Sequence, residues 1–269
     1  MTPHDLLTNF ETLAEAPNGI QRLRELVLEL AVRGKLVEQE SADEPVQNLV
    51  SRIKRDRARR LSLGEFRSGK NPRPVTENEL PFQCPGPWRW MRLEEYCHIE
   101  MGQSPGSEFY NSVKDGLPFY QGKADFGLIH PRPRVWCNSP TKTAIAGDVL
   151  VSVRAPVGPT NLSNETCCIG RGLAALRSLG DAEPLYLLWV MRAFERTLAR
   201  KATGTTFVAV SRSDLAELLI PVPPLPEQRR IVARVDELMA LLDRLSQALE
   251  THSNLAAKFA AAAVHHLEV

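Results

Sequence analysis

The sequence predicts an α+β protein: one globular α/β domain flanked by N-terminal helices and a long C-terminal coiled-coil helix. Three observations carry this. Apolar residues recur at helical spacing near both ends of the 269-residue chain. Between Trp88 and Pro221, short apolar runs alternate with Gly, Pro, Asn and Ser clusters, the texture of short strands and turns. A proline-rich collar then separates that region from the last helix. The expected organisation is a helical region over 1–65, a linker over 66–87, the globular domain over 88–224 and the long helix over 225–269.

In the first region Ile20, Leu23, Val27, Leu30, Gly34 and Val37 are spaced 3-4-3-4-3, a helix with one apolar seam. Asn18-Gly19 supplies its start. Gly34 either admits a second helix closely or ends this one. After a polar break from Glu38 to Pro45, Val46, Leu49, Val50 and Ile53 begin a second amphipathic helix. It runs into a basic segment: nine Lys or Arg from Arg52 to Arg73, against Asp56 and Glu65. Such a segment either touches phosphate or is a solvated helix face. The prolines and glycines between Gly64 and Pro87 mark the linker.

In the middle region Phe119-Tyr120, the run Asp148 to Val153, and Cys167-Cys168-Ile169 read as strands. A helix is expected over Pro184–Lys201. Leu219 to Gln228 (LIPVPPLPEQ) forms the collar, where each proline lacks an N–H and fixes φ. Beyond it Ile231, Val235, Leu238, Leu242, Leu245 and Leu249 keep a 4-3-4-3-4 spacing, the seam of a coiled coil. A helix over 227–264 would be ~57 Å long. An apolar stripe of that length needs a partner helix, from a second chain or from the N-terminal helices of the same chain.

Composition narrows the function. The net charge is +1, so the molecule is no polycation. The five cysteines, Cys84, Cys97, Cys137, Cys167 and Cys168, form no CxxC pair, which argues against zinc or any other metal site. Their odd number and the lack of a signal peptide fit the cytoplasm. No apolar run approaches the ~20 residues that span a bilayer. Gly116 to Ala124 resembles a phosphate loop, but the spacing is one residue too long and Ala124 replaces the Ser or Thr. No G-x-S-x-G, H-E-x-x-H or G-x-G-x-x-G occurs, and Asn71-Pro72-Arg73-Pro74 fails the amino-methyltransferase pattern. No catalytic residues are expected.

Five pieces in order carry a resemblance: Trp88 to Tyr96; Gly102-Gln103-Ser104-Pro105; Leu117 to Asp125; Gly147 to Gly158; and Gly204-Thr205-Thr206-Phe207 before the collar. With the collar and heptads they resemble the DNA-specificity subunits of type I restriction-modification systems. The resemblance implies a non-catalytic target-recognition domain and a spacer helix. It implies double-stranded DNA as ligand, with methyltransferase and restriction subunits as partners. S-adenosylmethionine, ATP and Mg²⁺ would be held by those partners, and no cofactor by this chain. The usual subunit has two recognition domains; this chain has one, and so resembles a half-subunit pairing through its helices or a fragment.

By chemistry, the loop residues suited to DNA are Gln103, Ser104, Gln121, Lys123, Arg154, Arg171, Thr205 and Thr206. Gln and Arg can bond base edges bidentately, while Ser, Thr and Lys suit phosphates. Arg154 and Arg171 are expected as base readers. Asp148 reads as a turn residue, and Phe119, Tyr120, Trp136 and Phe207 as core. Two other readings stand: a coiled-coil adaptor that binds protein only, and a nuclease or methyltransferase with an unrecognised site.

Overall fold

The computed structural model describes residues 18–66, 72–202 and 209–267; within 253–267 it describes the backbone and the Leu255 side chain. Asn18, left-handed at φ 58°, opens α1 (Gly19–Val32). Gly34 ends it. At φ +65° its N–H and that of Lys35 donate to the Ala31 and Leu30 carbonyls at 3.2 and 2.9 Å, a Schellman turn. A Cβ on Gly34 would lie 2.4 Å from Pro85 Cγ, so glycine also lets the linker close on the helix. Helix α2 (Val46–Ser62) buries Val46, Leu49, Val50 and Ile53, the predicted apolar face.

Strand β1 (Arg89–Arg92) leads through the one-turn α3 (Leu93–Tyr96) into β2 (Cys97–Met101). Strands β3 (Tyr110–Asn111), β4 (Leu117–Tyr120), β5 (Trp136–Cys137), β6 (Thr143–Ala144) and β7 (Val149–Ser152) follow. Then come β8 (Thr160–Leu162), β9 (Cys167–Ile169) and β10 (Leu173–Ser178). One sheet has the antiparallel order β2-β10-β7-β8; the other runs β3-β5-β4-β9-β6, with β4 and β9 parallel. The final strand β11 (Leu219–Val222) pairs antiparallel with β1, so the two ends of the globular region are joined. β7 and β9 are buried along their whole length, which is why they read as continuous apolar runs.

The helix expected over 184–201 is two helices, α4 (Pro184–Ala193) and α5 (Glu195–Ala202), broken at the inward-turned Phe194. A short α6 (Arg212–Ala216) starts at a capping box: Ser211 Oγ accepts from Asp214 N–H at 3.2 Å, and Asp214 accepts from Ser211 N–H at 2.8 Å.

The long helix α7 (Leu225–Leu267) begins in the collar. Glu227 and Gln228, both buried, latch it to the domain. Trp88 Nε1 donates to Glu227 at 2.9 Å and Gln39 Nε2 at 2.5 Å. Gln228 Oε1 accepts from the Tyr96 hydroxyl and from Glu183 N–H, each at 3.2 Å, while its Nε2 donates to the Pro223 carbonyl at 3.1 Å.

Of the two partners open to the seam, a second chain or the N-terminal helices of the same chain, the second fills it over Ile231–Leu249. Ile231, Val235, Leu238 and Leu242 are buried, and Leu245 and Leu249 are partly buried against the same core. Their neighbours are α1 and α4. Arg24 pairs with Asp243 at 2.5 Å and Arg230 with Asp43 at 2.6 Å, so α1 runs antiparallel to α7. The physical reason is local supply: α1 carries its own apolar stripe, Leu23, Val27 and Leu30, and meets the seam first. Among the described residues no helix is long and apolar enough to cross a membrane.

Two carboxylates make the fold sensitive to acid. Hydrogen bonds from Arg92 hold Glu79 down to about 2. Hydrogen bonding to His98, and then to Lys142, holds Glu100 down to about 2 against the opposing effect of its burial. Both folded values lie below the ordinary 4.5, so the unfolded chain binds more protons and stability rises with pH across this window. The contribution is present above about pH 4.5 and lost as pH falls toward 2. The urea midpoint should therefore drop between about pH 5 and pH 3, and Glu100→Gln should flatten the drop. A midpoint that holds constant across that interval would refute these pairs as stabilising.

Candidate nucleic-acid interface

Topology gathers the loops. β2 and β7 both lie antiparallel to β10, so their carboxyl ends sit beside the start of β10. β4 and β9 are parallel, so their carboxyl ends also emerge together. Cross-bonds join the two sets. Gln103 N–H donates to Ile169 O at 3.0 Å, Gly170 N–H to Tyr120 O at 2.8 Å, and Val153 N–H to Gly172 O at 2.9 Å. A Cβ at Gly172 would come within 2.2 Å of Gln121 O, so only glycine permits this approach.

The four loops enclose a niche of about 180 Å³ lined by Ser104, Gln121, Gly122, Lys123, Ser152, Arg154, Ala155, Arg171 and Gly172. Five of the eight sequence-predicted residues meet here: Ser104, Gln121, Lys123, Arg154 and Arg171. Gln103 is exposed beside the niche and does not line it. Thr205 and Thr206 lie outside the described residues. Ala209, three residues after Thr206, bridges Arg154, and Val210 N–H donates to Val153 O at 2.9 Å.

Each loop is held from beneath. Asp125, 8% exposed, accepts from the N–H groups of Gln121 and Gly122 at 2.7 and 3.4 Å, and binds Arg134 at 2.6 Å. Ser152 Oγ donates to the Arg154 and Pro156 carbonyls at 3.1 and 2.8 Å. Ser104 Oγ accepts from Arg171 N–H at 3.2 Å. The sequence reading missed Ser152 and Asp125. Asp125 was detectable as the Asp closing a Gly-containing turn, whereas a serine at the end of an apolar strand carries no such signal. Asp148 is indeed a turn residue: it accepts from Ile145 N–H at 2.9 Å and binds Arg177 at 2.8 Å. Phe119 and Tyr120 are core, Trp136 is half-buried with Lys114 above its ring, and Phe207 lies outside the described residues.

Lys123, Arg154 and Arg171 are exposed, and none forms an ion pair among the described residues. The field of Lys123 reaches Glu195, whose carboxyl burial pushes up. The basic helix contrasts with this. Arg52 binds Glu44 and Asp181, Arg59 and Arg60 bind Asp56, and Arg57 donates to the Glu94 and Cys97 carbonyls. Arg52 and Arg57 thus tie α2 to the domain, Arg59 and Arg60 pair within the helix, and Lys54, Arg55 and Arg59 are exposed. A larger cleft of about 1490 Å³ between α1, α4, α5 and α7 is lined by the pairs Arg24–Asp243 and Arg196–Glu25, and Lys123 and Glu195 also face it.

The domain thus presents strand-end loops bearing exposed cations and is mounted on a long helix. Residues 85–251 match the family described as type I restriction modification DNA specificity domain, and the chain belongs to that family. It is 37% identical over 174 residues to the putative type I restriction enzyme MjaX specificity subunit of Methanocaldococcus jannaschii, covering 62% of this chain and 41% of that protein. It is 25% identical over 259 residues to the type I restriction enzyme EcoAI specificity subunit of Escherichia coli, covering 90% and 44%. Among solved structures, it resembles the HsdS subunit from Thermoanaerobacter tengcongensis with TM-score 0.57 and 38% identity, covering 91% and 52%. A chain from a structure on assembly and conformational transition of the type I R-M system gives TM-score 0.61 and 42% identity, covering 88% and 54%. The chain thus spans about half the length of these relatives.

Proposed function

We propose that this chain is a non-catalytic, sequence-specific DNA-recognition unit of a type I restriction-modification complex in the cytoplasm. The observation that carries the reading is the niche: three cations with no ion pair among the described residues and three polar side chains converge at the ends of parallel-running strands. Double-stranded DNA is the ligand. Methyltransferase and restriction subunits are the partners, and they hold S-adenosylmethionine, ATP and Mg²⁺. The domain reads one part of a bipartite site, and α7 with α1 sets the distance to a second recognition unit, which a second copy of the chain would supply.

The test is duplex binding by the purified full chain across a salt series. The logarithm of affinity should fall against the logarithm of salt with a slope of about −0.9 per phosphate contacted. Salt-insensitive or absent DNA binding would favour a coiled-coil adaptor. Methyl transfer or DNA cleavage by the chain alone would favour an enzyme with an unrecognised site.

A further inference from the structure

We infer that the niche seats one DNA phosphodiester, and that Lys123, Arg154 and Arg171 are phosphate ligands rather than the base readers expected of both arginines. This rests on the DNA-recognition reading above. The first reason is shape. Base edges lie on the floor of a major groove ~8.5 Å deep, so a side chain that reads them must protrude. The three cations instead surround a recess walled by four backbone turns. A recess receives a group that stands out from the duplex, and the phosphodiester is that group.

The second reason is the donor set. Lys123 and both guanidinium groups only donate, and Ser104 Oγ, having accepted from Arg171 N–H, still has its own proton to give. Among the described residues no carboxylate lines the niche. Asp125 lies under one wall, already engaged by two backbone N–H groups and Arg134. A site for an adenine edge needs an acceptor as well as donors, and one for a cytosine edge needs an acceptor. Gln121 alone among the lining side chains offers a carbonyl at its tip, and four donor groups outnumber it. Guanine O6 and N7 share the acceptor chemistry of a phosphate, so the test must separate those two.

The third reason is rigidity. Asp125, Ser152 and the cross-strand bonds fix the loop backbones before any ligand arrives. A seat common to every sequence benefits from such preorganisation, because phosphate contacts set register and orientation.

The experiment uses the full chain with two duplexes of equal length, one selected from a random library by binding and one scrambled. Lys123→Gln, Arg154→Gln and Arg171→Gln should each weaken binding to both duplexes alike, by about tenfold, the size of one charge-assisted hydrogen bond. Each should also reduce the magnitude of the salt slope by about 1. A scan of single neutral methylphosphonate linkages should find one position at which wild-type affinity drops and Arg154→Gln adds no further loss. All three side chains are exposed, so urea midpoints should stay at the wild-type value. Loss confined to the selected duplex, with the slope unchanged, would overturn the phosphate seat and assign a guanine edge. Unchanged binding by all three variants would also overturn it. A wild-type chain that binds neither duplex would defeat the recognition reading itself, a result separable from both.

Discussion

Leu242→Ala is expected to destabilise the chain by about 3–5 kcal/mol, the cost of a well-packed leucine truncated in a core that cannot collapse around the void. Leu242 is fully buried. It lies next to Asp243, whose carboxylate binds Arg24 of α1 at 2.5 Å. Ile231, Val235 and Leu238 precede it in one continuous seam. The source of the burial decides the form of the result. Because α1 and α4 of the same chain fill the seam, the urea midpoint should be independent of protein concentration for wild type and variant alike. A seam filled by a second copy would make the midpoint rise with concentration, since the stability of such a dimer is inseparable from protomer concentration. A variant within about 1 kcal/mol of wild type would refute the packing, and a concentration-dependent midpoint would assign it to a dimer.

Periodicity reports that a helix has an apolar face, but it does not say what covers that face. The 4-3-4-3-4 spacing located the seam residues, and α1 and α2 were likewise legible because an amphipathic helix repeats its pattern over several turns. The small strands β3, β5 and β6 are two residues each, too short for any alternation to register. Parallel pairing of β4 with β9 joins Phe119 to Cys168 across 49 positions, which no local pattern encodes. The niche residues were found by chemistry, as cations and amides framed by glycine and proline. Their convergence came from sheet order, and Gln103 shows the limit: it has the right chemistry in the right loop but does not line the niche. The basic segment shows the opposite failure. Charge density suggested phosphate, yet carboxylates and carbonyls from distant segments, such as Asp181 and Glu94, already occupy Arg52 and Arg57.

Gln228→Leu is expected to cost about 3–5 kcal/mol, because one conservative change in volume orphans two buried polar groups and a part-buried one at about 1–3 kcal/mol each. The Tyr96 hydroxyl, the Glu183 N–H and the Pro223 carbonyl all bond this amide. Tyr96 and Gln228 are each 0% exposed, so water cannot replace the lost partner. These contacts come from α3, from the start of α4 and from the collar itself, so Gln228 ties three elements to the first turn of α7. The adjacent Glu227→Gln is the informative contrast. Burial raises the Glu227 carboxyl above its ordinary range, and an amide keeps an acceptor for Trp88 Nε1 while removing a desolvated charge. That variant should stay within about 1 kcal/mol of wild type by urea denaturation. Adding Tyr96→Phe to Gln228→Leu should recover about 1 kcal/mol, since the orphaned hydroxyl is then gone. Additive losses in that double variant would show that Tyr96 and Gln228 are not coupled. The latch between domain and helix would then rest on Glu227 with Trp88 and Gln39. If the coupling holds, the glutamine fixes the angle at which the recognition domain leaves α7. On the proposed DNA-recognition function, that angle sets where the niche lies along the duplex.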